Sequence, residues 1–474
     1  MIIQNLENIN TNSFDYTVVG SGPAGITLAL QLARKNKKVL LIEAGGLYFS
    51  ENSQLFYKGE TFGDKYFQLD ITRLRYFGGS SGHWAGACRT LDEVDFQSWP
   101  ISKKSLDNFE KKAKEILNIK GNFYSKQSEF NNFNNINLLR SDVQFGEKYK
   151  SKIEKSNNIF LLLNSPLLQI IPDKQNNKKV REILININNL KKKKIKINNL
   201  VLATGGIENS RILLWSRYLS KNNFLKNLPI GNYWNEHPAG EIAQFVSERT
   251  KDDPLIKKFL GSMIAPVPEF INKNKINNIR LDFLEYGDIT KKYFKHYIKD
   301  LVCLAPNFGK KVFESVYKKQ PVHCFAVVKF SAEQKPSFEN RIQLSNNLDS
   351  NGIPKVSLHW NIDDDVFDSL EILLQNLGEQ LIKKEYGRIG IDRYVFDKSF
   401  KNSKDIFASH HHIGGTVMGI EKNKSVVDKN FKVHDVDNLY ILGSSIFKSG
   451  GHANPTFSIV QLSLKLADYL NSST

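Results

Sequence analysis

Two short stretches near the C-terminus combine residue types that can move a proton. Ser409-His410-His411-His412-Ile413-Gly414-Gly415-Thr416 is followed some forty residues later by Gly450-Gly451-His452-Ala453-Asn454-Pro455-Thr456. A neutral imidazole near the operating pH can accept a proton, and a carboxamide can donate or accept a hydrogen bond at the same oxygen. A base from the first stretch and a hydrogen-bonding partner from the second would meet over a bound ring, and the residues alone leave open which histidine is the base. His452 supports its loop. Adjacent histidines cannot all face one ion and no further ligand spacing completes a set, so a metal site is not expected.

The elements that must position these groups begin at the other end of the chain. Asp15 to Val19 reads as a buried strand that runs into Gly20-Ser21-Gly22-Pro23-Ala24-Gly25. Helical apolar spacing follows from Ile26 to Arg34, and a second strand, Lys38 to Ile42, ends on Glu43. This strand, turn, helix and strand context is the one a dinucleotide needs. Gly20 makes the tight turn, Gly22 lets the backbone approach a pyrophosphate, and Gly25 allows helix and strand to pack. The helix N-terminus attracts phosphate, and Glu43 can take ribose hydroxyls.

Gly78-Gly79-Ser80-Ser81-Gly82-His83-Trp84-Ala85-Gly86 is a small-residue loop suited to lie against something flat or charged. Residues 120–158 are polar and Asn-rich and read as an excursion. Strands are expected at 159–163, 167–171, 180–187 and 195–202, with Lys191 to Lys194 in a solvated hairpin turn between the last two. Leu200 to Leu202 lead into Ala203-Thr204-Gly205-Gly206 and a helix, a second wall for a nucleotide crevice. From about Ala239 to Lys404 the pattern changes to alternating strands and one helix from about Asp365 to Lys384, which suggests a sheet-based unit roofing the substrate. The fold expected is α/β: a discontinuous Rossmann-like domain at 1–238 and 405–474, with an interleaved α+β domain at 239–404 built on a mainly antiparallel sheet.

Composition limits the function classes. The chain has 474 residues and 41% apolar composition, enough for a large core. Its +17 formal charge comes from 66 bases against 49 acids spread along the sequence, without a nucleic-acid motif or aromatic-basic interleaving. Cys88, Cys303 and Cys324 are too few and scattered for a disulfide framework. With no transmembrane-length segment and no leader pattern at Met1 to Glu7, a reducing cytoplasm is expected. Oligomeric state leaves no signal.

In order along the chain, Gly20 to Gly25 with Glu43, the Gly78 to Ser81 loop, Ala203 to Gly206, Gly231-Asn232 through His237-Pro238, His412 to Thr416 and Asn454-Pro455-Thr456 resemble the glucose-methanol-choline (GMC) flavoprotein oxidoreductases. The form His-x-Gly-Gly-Thr and the Gly79 to Trp84 stretch are most similar to the branch of pyranose oxidases and bacterial sugar dehydrogenases. The resemblance implies FAD, with its ADP half on Gly20, Gly22, Gly25 and Glu43, adenine near Leu167, further walls at Thr204 and Gly205, and the flavin beside Ser81, His83, Trp84, Ala85 and Gly86. His83 falls where covalently flavinylated members attach the cofactor, although many relatives hold FAD without a bond. Gly443-Ser444, also counted as binding the cofactor, stands where many members carry an Asp, so the carboxylate of one usual FAD contact is absent without threatening the cofactor. Asn454, Pro455 and Thr456 would start a helix aimed at the flavin N1/C2 carbonyl region. The resemblance implies oxidation of a secondary alcohol, a sugar or glycoside hydroxyl, with His412 as the base, Asn454 as its partner and oxygen or another electron acceptor; His411 is the alternative for the base, and His410 a support. The alternatives are a non-sugar alcohol, or a lyase in which FAD is structural.

Overall fold

The structure is a computed structural model that describes residues 1–474 except 8, 124–126, 221–222, 248, 250–251, 286–322, 400–405 and 473–474. Cys303 and the expected boundary at Lys404 therefore lie outside the described residues.

Apolar runs with no alternation form strands covered on both faces. Tyr16–Val19, Val39–Ile42 and Leu200–Leu202 are buried at every position. They build a six-stranded sheet in the order Ile2–Ile3, Ile159–Leu162, Val39–Ile42, Tyr16–Val19, Leu200–Leu202, Leu439–Ile441. Every neighbouring pair is parallel. The strands are therefore joined by crossovers, and the helix Pro23–Ala33 is the first of them. It packs against the C-terminal helix Thr456–Ser472, which brings the two ends of the chain together.

Leu167–Pro172, Val180–Ile187 and Lys191–Lys196 form a separate antiparallel meander. Here the lysine run differs from expectation. It is the edge strand, and the turn before it falls at Asn188 and Asn189, both with left-handed φ of 53° and 56°. Asparagine tolerates that conformation better than lysine, and lysines on an edge strand keep its open backbone from pairing with another chain. The expected strand at 195–202 is likewise divided between the meander and the parallel sheet.

A seven-stranded antiparallel sheet takes Pro238–Ser247, Met263–Pro266, Ile279–Glu285, His323–Ala332 and Arg388–Ile391, with Ile406–Ala408 paired to the first. Its outermost strand, Phe133–Asn135, comes from the polar excursion, which thus contributes structure instead of looping free. The apolar face of this sheet packs with the helix Asp364–Lys383 through Val366, Phe367, Leu370, Leu373, Leu374, Leu377 and Leu381. Those positions recur at helical spacing and form one buried stripe. Glu60–Gly63, from the N-terminal part, likewise pairs with Pro354–Trp360. Among the described residues no helix is long and apolar enough to cross a membrane.

Candidate active site

The carboxyl ends of the parallel strands open on a cavity of about 700 Å³. In open α/β sheets this is where ligands bind. Gly20 has φ +103°, and a Cβ there would lie 2.3 Å from the Ala203 carbonyl oxygen. Gly25 lies outside the cavity lining; its Cβ would meet the Gly20 carbonyl oxygen at 1.9 Å, so its bareness lets helix and strand touch. Gly22, Gly205 and Gly443 behave differently. All three line the cavity, and a Cβ on any of them would meet nothing within 4 Å. Bare backbone facing an open cleft at a helix N-terminus is a cradle for a pyrophosphate, so the residues present fit a dinucleotide.

Glu43 is buried and braces this cradle. One carboxylate oxygen accepts the Ser21 N–H at 3.0 Å and the Ser21 hydroxyl at 2.6 Å, and the other accepts the Gly45 N–H at 2.8 Å. On the opposite wall Asn209 accepts from the Thr204 N–H and hydroxyl, and donates to the Leu442 carbonyl and the Ser445 hydroxyl. It thereby ties the Thr204-Gly205 turn to the Gly443-Ser444 turn. Ser444 in turn donates to the His412 carbonyl oxygen at 2.5 Å.

The loop Ser81 to Gly86 is held from behind. The Ser81 hydroxyl donates to the Gly78 carbonyl and accepts the Phe145 N–H, and the Trp84 ring N–H donates to the Val143 carbonyl. His83 and Ala85 are left exposed along the cavity. Leu167, Pro455 and Thr456 complete the expected lining.

His412 is 8% exposed, and its Nε2 has no hydrogen-bond partner. Burial first, then the Arg73 guanidinium and the neighbouring His410 and His411, hold its imidazole well below the ordinary range, so it is neutral. Asn454, however, is hydrogen-bonded to His411: its Nδ2 lies 3.1 Å from His411 Nε2. His411 Nδ1 faces His237 Nδ1 at 2.9 Å. His411 is thus occupied at both ring nitrogens, whereas the His412 Nε2 is free. His410 takes a left-handed φ of 61° and sets its ring edge-on to Phe67.

Two further sets of cavity residues went unmarked in the sequence reading. Arg73 pairs with Glu208 at 2.8 Å, Glu208 with Arg211 at 3.1 Å, and Arg211 with Asp349 at 2.6 Å. Burial would raise the Glu208 carboxyl, but Arg211 and Arg73 outweigh it and hold the group below its usual value. The spacing Glu208-x-x-Arg211 at a helix start was the available signal. The second set stands on the seven-stranded sheet. Arg280 and Asp282 alternate with the buried Ile279, Leu281 and Phe283, so they share the opposite face with Lys329 and Ser331 on the next strand. These four line the cavity. Asp282 accepts from Arg280 Nε at 2.6 Å and Nη2 at 3.0 Å, which leaves Arg280 Nη1 buried without a partner.

Comparison with known proteins agrees with this architecture. Residues 336–463 match the GMC oxidoreductase family, and residues 14–223 match the pyridine nucleotide-disulphide oxidoreductase family. The fructose dehydrogenase large subunit of Gluconobacter japonicus is 30% identical over 162 residues, covering 34% of this chain and 27% of that protein. The 6'''-hydroxyparomomycin C oxidase of Streptomyces lividus is 28% identical over 175 residues, 36% of this chain and 30% of that protein. The chain thus matches less than a third of the length of these two relatives. The long-chain-alcohol oxidase FAO4A of Arabidopsis thaliana is 22% identical over 94% of this chain and 66% of its own. Among solved structures, pyridoxine 4-oxidase from Mesorbium loti superposes with a TM-score of 0.59 at 14% identity, over 96% of this chain and 99% of that one. Formate oxidase superposes at 0.57 and 13% identity, over 98% and 99%. The cradle of bare glycines and the two family matches make FAD the cofactor. The His412 to Thr416 and Asn454 to Thr456 segments both fall within residues 336–463, the stretch over which the chain matches the GMC oxidoreductase family.

Proposed function

We propose that the protein oxidises a secondary hydroxyl of a sugar or glycoside, with His412 as the base and Asn454 orienting the substrate oxygen. The observation that carries this reading is the His412 ring: neutral, lining the cavity that holds the dinucleotide cradle, with its Nε2 lone to the protein. FAD, when bound, supplies the acceptor for the hydride that leaves the carbinol carbon. The hydroxyl proton passes to His412, and Asn454 hydrogen-bonds the oxygen as its C–O bond becomes a carbonyl. Asn454 stands one residue before Pro455 and the helix Thr456–Ser472, so the positive end of that helix faces the same cavity and favours negative charge there.

The charged wall supports a polyhydroxylated substrate. Arg280 and Asp282 offer donors and acceptors side by side, which suits hydroxyl groups that both give and take hydrogen bonds. A hydrocarbon chain against this wall would leave the Arg280 Nη1 protons buried and unpaired. The electron acceptor that reoxidises the enzyme is oxygen or another oxidant, and parallel assays with each distinguish them. His83 is the side chain through which a covalent cofactor bond would run, and acid precipitation reads it from whether colour stays with the pellet.

The test is anaerobic. Candidate sugars, added to holoenzyme without oxygen, are expected to bleach the flavin absorption, and failure with every sugar and alcohol would sink the oxidoreductase reading. His412→Ala is expected to keep its FAD but slow bleaching by about 10²-fold or more. An unchanged rate in that variant would remove His412 as the base.

A further inference from the structure

His237 is buried behind the active-site wall and does not itself line the cavity. The segment that carries it is laced to the histidine cluster. Asn235 and Ile413 exchange both backbone hydrogen bonds, the Ser409 N–H donates to the His237 carbonyl, and the His411 N–H donates to the Glu236 carboxyl at 2.7 Å. This backbone clamp sets the His237 and His411 rings at right angles, with centroids 5.0 Å apart and the two Nδ1 atoms 2.9 Å apart.

Proton counting then constrains the pair. Burial keeps both imidazoles neutral, and the nearby Arg280 cation reinforces it. Two neutral rings meeting through Nδ1 share one proton, so one donates and the other accepts. If His411 carries it, His411 Nε2 is bare and takes an N–H from Asn454. If His237 carries it, His411 Nε2 bears a proton and requires the carbonyl oxygen of Asn454, with the amide turned over. The protonation of a residue outside the cavity thus decides how the Asn454 amide is turned; with Nδ2 toward His411, its second N–H remains to hydrogen-bond the substrate oxygen as that oxygen becomes a carbonyl. The amide nitrogen of Asn454 lies 3.1 Å from His411 Nε2 and can only donate there, so His411 Nε2 is bare and its proton sits on Nδ1. This selects the chain Asn454 to His411 to His237, in which Asn454 Nδ2 donates to His411 and His411 Nδ1 donates to His237.

We propose that His237 is a positioning residue: by accepting from His411 Nδ1–H it fixes one tautomer of His411 and, through it, one orientation of the Asn454 amide. The backbone of Asn454 is already fixed by Pro455 and the helix that follows, so rotation of the amide is the freedom that remains to be removed. The inference rests on the reading that Asn454 orients the substrate oxygen.

Two substitutions separate the bond from the volume. His237→Asn places an acceptor near the former Nδ1, whereas His237→Leu fills the space without one. With FAD bound in both, His237→Leu is expected to slow anaerobic flavin reduction about tenfold or more, and His237→Asn to restore most of the rate. A wild-type rate in His237→Leu, or equal loss in both variants, overturns the proposal. The wild-type holoenzyme gives an independent reading should His237→Leu not fold: ¹⁵N-histidine spectra are expected to show His411 protonated at Nδ1, and protonation at Nε2 overturns the proposal. His412→Ala keeps the two questions apart. If that variant still reduces normally, the base assignment falls, while the His411 tautomer and the Asn-against-Leu comparison still decide the role of His237.

Discussion

Arg280 is held by one edge and left without a partner at the other. Asp282 takes Nε and Nη2, both members of the pair are shielded from solvent, and Nη1 keeps its protons without an acceptor inside the protein. A buried donor left unmade costs about 1–3 kcal/mol, so a substrate oxygen that pairs with it gains that amount over one that does not. Arg280→Met is therefore expected to lower kcat/KM for a reactive sugar by about tenfold or more while changing a small monohydric alcohol much less. Stopped-flow reduction with both substrates checks it, and equal losses for the two would remove Arg280 from substrate recognition. The same scale shows why this residue escaped a sequence reading. Arg280-x-Asp282 set among Ile279, Leu281 and Phe283 is a period-two pattern with a polar inner face, but nothing local says that the face lines a cavity. The pairing of Asn454 with His411 is similarly invisible, because three consecutive histidines differ in direction only once Asn235 to His237 clamp the irregular segment they sit on.

Among the elements, the strand, turn and helix at Tyr16 to Ala33 separate packing from binding within six residues. Gly25 is bare because the Gly20 carbonyl lies in the way, whereas Gly22 is bare beside empty space. Gly25→Ala is expected to destabilise the fold by about 1–3 kcal/mol with or without cofactor, because the helix must move off the strand. Gly22→Ala, in an extended backbone that any residue adopts, should melt like the wild type without FAD yet bind FAD more weakly. Denaturation of both apo proteins, alongside cofactor titration, checks the division; equal apo stability of the two variants would contradict it. This motif was legible because all its parts lie within thirty residues and obey local rules. The lysine edge strand was not: Lys191 to Lys196 has the composition of a turn, and its pairing with Val180–Ile187 comes from the register that the Asn188-Asn189 turn imposes. Phe133–Asn135 is harder still, a short strand recruited by a sheet whose other members lie more than a hundred residues on.

Across the whole molecule, the site places ionisable groups where water cannot reach them, and stability then depends on pH through each of them. Glu236 is the clearest case. It is fully buried, accepts the N–H of His237 at 2.9 Å, that of His411 at 2.7 Å and the Tyr66 hydroxyl at 2.8 Å, and burial raises its carboxyl to about 7 despite those bonds. A carboxyl that is raised in the fold binds a proton there that the unfolded chain has already released. Its contribution therefore falls as pH rises from the unfolded value near 4.5 to about 7, and the full cost is about 3 kcal/mol above that. Glutamine reproduces the protonated shape, with an oxygen for the two backbone donors and an amide for Tyr66. Glu236→Gln is thus expected to match the wild type at pH 5 and to exceed it by about 2–3 kcal/mol at pH 8. His237 runs the other way: burial lowers it to about 3, so its contribution is lost as pH falls below about 6.5, and His237→Asn should lessen the acid sensitivity of the fold. Denaturant unfolding at several pH values reads both slopes, and a pH-independent difference between Glu236→Gln and the wild type would show that Glu236 is ionised throughout. Because Glu236 also holds the His411 backbone, its ionisation is expected to act on the same Asn454, His411 and His237 chain that orients the substrate, joining fold stability and catalysis through one buried carboxyl.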